Sequence, residues 1–178
     1  TLTMGKQLIR WGRADILNPS DRFAPRDFLN VIDSDYLPVL GVRPSLQLGN
    51  ETFEVVWVPR LTPSRLPLFD QRWTVLPAAL QGTAIEDGGS LIPTRGQLGA
   101  RWNHTGERIE MSLSYFDGFN HLPSIEARPN PVANAVELMR VYPDLRTYSG
   151  DLAIPTRLFL LKGESTYFTS PPAPHAEY

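Results

Sequence analysis

The sequence predicts an all-β protein, an antiparallel meander that forms part of a transmembrane β-barrel, with short helices in its long loops. Three observations carry this expectation. Strand-like segments alternate polar and apolar residues with a period of two, which places successive side chains on opposite faces of a sheet. Seventeen Pro and thirteen Gly cut the 178 residues into short pieces and leave little helical spacing. Tight turns and long connections alternate strictly, so the turns gather at one end of the sheet and the long segments at the other, the asymmetry of outer-membrane barrels.

Taken in order, a strand from Thr1 to Trp11 leads into a polar segment, Gly12 to Tyr36, rich in Asp, Pro and Asn. Strands Val39–Leu48 and Glu51–Pro59 follow, joined by Gly49-Asn50, a pair suited to the positive φ of a two-residue hairpin. A second long segment, Arg60 to Pro93, precedes strands Arg95–Asn103 and Glu107–Phe116 around His104-Thr105-Gly106. A third, Asp117 to Arg140, precedes a weaker strand, Val141–Ala153, and a stronger one, Arg157–Phe168, with the turn at Ile154-Pro155-Thr156. Asn130-Pro131 ahead of Val132–Met139 reads as a short helix, with Asn at the cap and Pro at the first helical position, and Pro25–Ile32 reads as another. The long segments exceed ordinary loop length, which points to functional loops or lids over a pore. Residues 1–168 are expected to form one barrel segment and residues 169–178 a Pro-rich tail.

The faces are cleanly separated. In Gly106–Gly118 (GERIEMSLSYFDG), Arg108, Glu110, Ser112 and Ser114 oppose Ile109, Met111, Leu113 and Tyr115. Leu40, Val42, Leu46 and Leu48 oppose Gly41, Arg43, Ser45 and Gln47; Leu98, Ala100 and Trp102 oppose Gln97, Gly99, Arg101 and Asn103; Leu161, Ser165 and Tyr167 oppose Lys162, Glu164 and Thr166. In a barrel, Arg43, Gln47, Arg101, Arg108, Glu110, Ser112, Lys162 and Glu164 would line a wet interior, with charges paired to one another. In a soluble sheet the same residues would be a solvated surface. Trp11, Trp57, Tyr115 and Tyr167 stand at the long-loop ends of strands and Trp102 near the tight turns, as two membrane-interface belts would require.

Composition excludes several classes. Seventeen basic against nineteen acidic residues, with no polybasic run, give no footprint for nucleic acid. There is no Cys for a disulfide or thiolate site, and no stretch of about 20 apolar residues for a membrane helix. His104, His121 and His175 lack metal-like partners at i+2 or i+4 and read as exposed bystanders. Glu86-Asp87 reads as a solvated pair in a Gly-rich loop and Asp87-Gly88-Gly89 as a plain turn, so neither a metal, a cofactor nor a catalytic residue is expected.

Gly5-Lys6-Gln7-Leu8-Ile9-Arg10-Trp11-Gly12-Arg13-Ala14-Asp15, continuing through Asn18-Pro19-Ser20-Asp21 and Pro25-Arg26-Asp27, resembles a recurrent stretch of large porin-like outer-membrane β-barrels of Gram-negative bacteria. Gly150-Asp151-Leu152 and Leu161–Tyr167 look like hairpin strands of the same proteins. The resemblance implies a place in the bacterial outer membrane with the lipid bilayer as partner, passage of small solutes, and no catalytic residue. Two features depart from it. Seven strands do not close a barrel with an even strand count, and the tail TSPPAPHAEY is not an amphipathic closing strand, so the chain is expected to be a fragment. The alternative is a soluble β-sandwich that binds carbohydrate, with Trp57 or Trp102 stacked on a sugar.

Overall fold

The computed structural model describes residues 1–13, 18–30, 35–67, 84–131 and 133–170. These form ten strands: β1 (Leu2–Gln7), β2 (Val39–Leu48), β3 (Glu51–Val58), β4 (Ala84–Leu91), β5 (Gln97–Thr105), β6 (Glu110–Phe119), β7 (Ser124–Asn130), β8 (Ala135–Val141), β9 (Asp144–Pro155) and β10 (Leu160–Thr169). Seven of them make one sheet in the order β1-β2-β3-β5-β6-β9-β10, with every neighbouring pair antiparallel. These are the seven strands that the alternating pattern marks, in the meander order that short turns dictate. Both β1 and β10 stand at edges, so the described sheet is open rather than a closed barrel.

Local chemistry sets the turns. Gly49 closes β2 to β3 with φ of 59°, a conformation that costs glycine nothing. The other two turns fall about three residues later than Gly106 and Pro155 suggest. The Gly106 amide bonds the Ile109 carbonyl at 3.0 Å, so the turn spans residues 106–109 and Arg108 lies in it. The Thr156 amide bonds the Phe159 carbonyl at 2.9 Å, and Thr156 Oγ1 accepts from the Phe159 amide at 3.0 Å. Pro155 therefore ends a strand, a position where its missing N–H costs no ladder bond.

The expected loop helices are absent; among the described residues there is no helix. The stretch expected to be helical after Asn130 is strand β8, held antiparallel to β7 and parallel to β4. Asn130 does act as a cap, accepting from the Ala133 amide at 3.2 Å, but it caps a turn that Asn134 closes at φ 46°. Pairing on both sides satisfies β8's backbone, and its Leu138 is buried, which outweighs a local capping signal. Residues 25–30 likewise make bridges, Arg26 with Tyr36 and Asp27 with Arg65, while 31 and 32 lie outside the described residues. Glu86 and Asp87, read as loop residues, are in β4, whose pairing with β8 is irregular between Asp87 and Ser90. Gly89 supplies the bend at φ 81°.

The burial of the large sheet is inverted relative to a soluble half-buried sheet. Register places Leu46, Phe53, Trp102 and Leu113 in one row across four strands, and Val55, Ala100, Tyr115, Tyr148 and Tyr167 in another. This apolar face is uncovered: Leu113 is 60% exposed, Leu46 58%, Leu161 57% and Trp57 49%. The polar face is the covered one, with Gln97, Ser112, Thr147, Ser149 and Asp151 all buried. The exposure of these side chains means that the three-stranded sheet does not cover this face.

Candidate functional site

What covers the polar face is the chain itself. After β1, residues 8–13 and 18–28 run back across the sheet. Their apolar members Ile9, Trp11 and Phe23 join Val39, Val56, Val58, Phe116 and Leu145 in the main core. The Trp11 ring meets Phe23 edge-on at 5.3 Å, and Phe23 meets Phe116 at 4.9 Å. Gly99 makes this approach possible, since a Cβ there would lie 2.6 Å from both the Phe23 and Trp11 rings.

Beyond this wedge the contacts turn ionic. Arg13 is the hub: Nη1 donates to Glu110 of β6, Nη2 to Asn103 of β5, and Nε lies 2.8 Å from Asp151 of β9. Asp151 is buried and also receives Arg101 Nη2 at 3.1 Å and the hydroxyl of Ser112. Glu164 of β10 accepts from the Ser20 amide at 2.9 Å and its hydroxyl at 2.7 Å. Trp11 Nε1 donates to Glu54 of β3 at 2.6 Å, and Asp21 accepts from the amides of Trp11 and Gly12. One segment is thereby bonded to five strands, as buried charges demand if they are to be paired.

Of the eight residues expected on a wet face, Arg43, Gln47, Arg101, Glu110, Ser112, Lys162 and Glu164 share the covered face. Arg101, Ser112, Glu110 and Glu164 join the Arg13 network, and Arg43 pairs with Glu54 at 3.7 Å. Gln47 lies near the tight-turn end and is exposed, and Lys162 is exposed on edge strand β10. Arg108 is the exception: in the turn, it is exposed and off the strand face. Among the aromatics, Trp57, Trp102, Tyr115 and Tyr167 take the open face. Trp11 does not; it is 4% exposed within the covered core, because the strand expected to hold it ends at Gln7.

Sequence reasoning missed Arg13, Asp21, Glu54 and Asp151. Arg13 and Asp21 were expected only as part of a polar loop, and period-two reading gives no signal for a loop that folds back. Asp151 fell in a strand whose alternation is weak, yet its partner across β6 is Ser112.

The long segments meet at one end of the sheet. The Arg65 amide bonds the Arg26 carbonyl at 2.9 Å, and the Ser64 amide bonds the His121 carbonyl at 3.0 Å, so parts of all three are joined. Buried His121 is no exposed bystander. Its Nδ1 stands 2.6 Å from the Thr62 carbonyl, and burial holds its pKa below the ordinary imidazole value. His104 is also tied down, on β5, with Nδ1 2.6 Å from Glu51, which accepts from Trp102 Nε1 at 2.7 Å too. His175 lies outside the described residues. Among those described, no group of His, Asp or Glu is arranged to hold a metal.

Two cavities border the covering segment. One, about 510 Å³, lies at the loop end and is lined by residues including Arg22, Arg26, Tyr36 and His121. The other, about 370 Å³, lies between the covering segment and β2, β3 and β5. No family model matches this chain, and comparison with curated proteins and with solved structures finds no significant match, so the geometry alone carries the functional argument.

Proposed function

We propose that the chain is a segment of an outer-membrane β-barrel that lets small solutes pass, with its open apolar face on lipid and its covered polar face toward the channel. The carrying observation is the inversion of burial. In water, leaving Leu46, Phe53, Trp57, Leu98, Leu113, Leu152 and Leu161 exposed together would forfeit burial worth about 1.5–3 kcal/mol for each side chain fully covered, over a contiguous patch that scattered surface leucines do not make. Against hydrocarbon the same face is the favourable one. The face of β2 from Leu40 to Leu48 carries no charge over eight residue steps, about 26 Å along the strand, close to the ~25 Å apolar band of such barrels. Polar groups flank the band: the ion pairs of Asp117 with Arg95 and Arg146 at the loop end, and Glu51 beside His104 at the turn end.

A carbohydrate-binding sandwich receives less support, since a sandwich needs a second sheet over the apolar face and the side chains of that face are exposed. Single-tryptophan variants test the reading. In vesicles with brominated acyl chains, Trp57 and Trp102 should be quenched and Trp11 should not. Equal quenching of all three, or a chain that is monodisperse in buffer without detergent, would remove the assignment.

A further inference from the structure

We infer that the 370 Å³ cavity between the covering segment and strands β2, β3 and β5 is a binding site for a small oxyanion, a carboxylate or a phosphate. The inference deepens the channel reading and rests on it for the solute's route, while the site itself rests on the cavity wall. Among the described residues, four arginines line that wall, Arg10, Arg13, Arg43 and Arg101, and Glu54 is the one carboxylate. The chain as a whole carries slightly more acid than base, 19 against 17, so this concentration is local rather than compositional.

What matters is how much of each charge is already used. Glu54 is engaged at both oxygens: Oε1 accepts from Trp11 Nε1 at 2.6 Å, and Oε2 faces Arg43 at 3.7 Å. Arg13 and Arg101 are held by Asp151, which stands behind the wall and does not line the cavity. Arg10 and Arg43 are different. Arg43's ion contact with Glu54 at 3.7 Å is beyond hydrogen-bond length, and Arg10 reaches Asp21 only at 3.5 Å. Their side chains are half and one-third exposed, so the cavity presents donors that the acceptors among the described residues leave largely unfilled. A guanidinium fork matches a carboxylate or phosphate in bidentate geometry. Asn103 and Thr52, also on the wall, add neutral hydrogen-bonding groups.

The site has an approach. Arg10 lies over the Tyr36 ring at 4.4 Å and Arg26 over the same ring at 4.6 Å, and Tyr36 and Arg26 line the larger cavity at the loop end. On the channel reading, a solute entering among the long segments would meet Arg26 and then Arg10 before Arg43.

The test is calorimetric titration of the full chain, folded in detergent micelles, with succinate, inorganic phosphate, and neutral succinamide as control. At low ionic strength succinate or phosphate should bind and succinamide should not, and the two anions' relative affinity identifies which oxyanion is preferred. Arg43→Gln should weaken binding about tenfold, the size of one charge-assisted hydrogen bond. Arg157→Gln, in the exposed turn between β9 and β10, should leave it unchanged. Circular dichroism and the melting midpoint establish that each variant is folded; should Arg43→Gln not fold, Arg10→Gln takes its place. Binding that is absent in the folded wild type, equal for succinamide, or within twofold of wild type in the arginine variant overturns the inference. Planar-bilayer conductance of the complete barrel that contains this segment separates the two readings: anion binding without conductance removes the channel and leaves the site, whereas conductance without anion binding removes the site and leaves the channel.

Discussion

A methyl group at Gly99 would meet the Phe23 and Trp11 rings at 2.6 Å, so Gly99→Ala should push the covering segment off the sheet. Overpacking of this kind costs about 1–3 kcal/mol, and limited proteolysis should then cut between Arg10 and Asp27 faster than in wild type. Asp151 carries a larger load, because its removal leaves Arg101 and Arg13 facing each other on a buried face. Asp151→Ala is expected to cost about 3 kcal/mol in a denaturant titration, the low end for a broken buried pair because Arg13 keeps Glu110 and Asn103. At the loop end the sensitive residue is His121. Burial lowers its pKa in the folded chain, with the nearby Arg22 cation acting in the same direction. The unfolded chain takes up the proton at about pH 6.5, while the folded chain resists until lower pH. Between those points the unfolded state binds more protons, so stability falls as pH falls below about 6.5 and levels off once the folded chain also protonates. His121→Gln should flatten that slope in melting curves taken across the range.

Among the elements, β6 states the arrangement most sharply, for adjacent residues have opposite fates. Leu113 is 60% exposed on the open face and Ser112 is 2% exposed under Arg101 and Asp151. Leu113→Arg should cost about 2–4 kcal/mol in lipid vesicles near the bilayer midplane. If the open face met water, the same substitution would stay within about 0.5 kcal/mol of wild type. Ser112→Arg, which alternation alone would place in an open wet space, is expected to be poorly tolerated because Asp151 and Arg101 already fill its side. Strand β8 makes a different point. Its Leu138 is 3% exposed between β4 and β7, so Leu138→Ala should loosen the three-stranded sheet and spare the seven-stranded one, and amide exchange would resolve the two.

For the molecule as a whole, the decisive relation is between its two ends. The tight turns at Gly49-Asn50, Gly106–Ile109 and Thr156–Phe159 lie at one end of the sheet, while Arg26, Arg65 and His121 tie the long segments together at the other. In intact cells the three long segments should therefore share one accessibility to protease or tag insertion, opposite to that of Asn50. Cleavage of one long segment together with Asn50, while the other two are protected, would contradict this.

The sequence by itself determined the seven-stranded meander, its register faces and the end to which each connection belongs, because a period of two and the length of a turn are local properties that one chain displays without its neighbours. It also named part of the covered polar network, Arg43, Arg101, Glu110, Ser112 and Glu164, since alternation sorts faces whatever later covers them. It did not determine which face would be buried. That was decided when residues 8–13 and 18–28 folded back, placing Trp11 in the core, Arg13 among Asn103, Glu110 and Asp151, and Arg10 beside a cavity. Nor did it yield β4, β7 and β8: β7 pairs with β8 locally, but β4 joins β8 across 50 to 51 residues, and pairing on both sides overrode the Asn-Pro capping signal before Val132. Contacts of that range answer to packing and to the pairing of buried charge, which tertiary structure alone brings together.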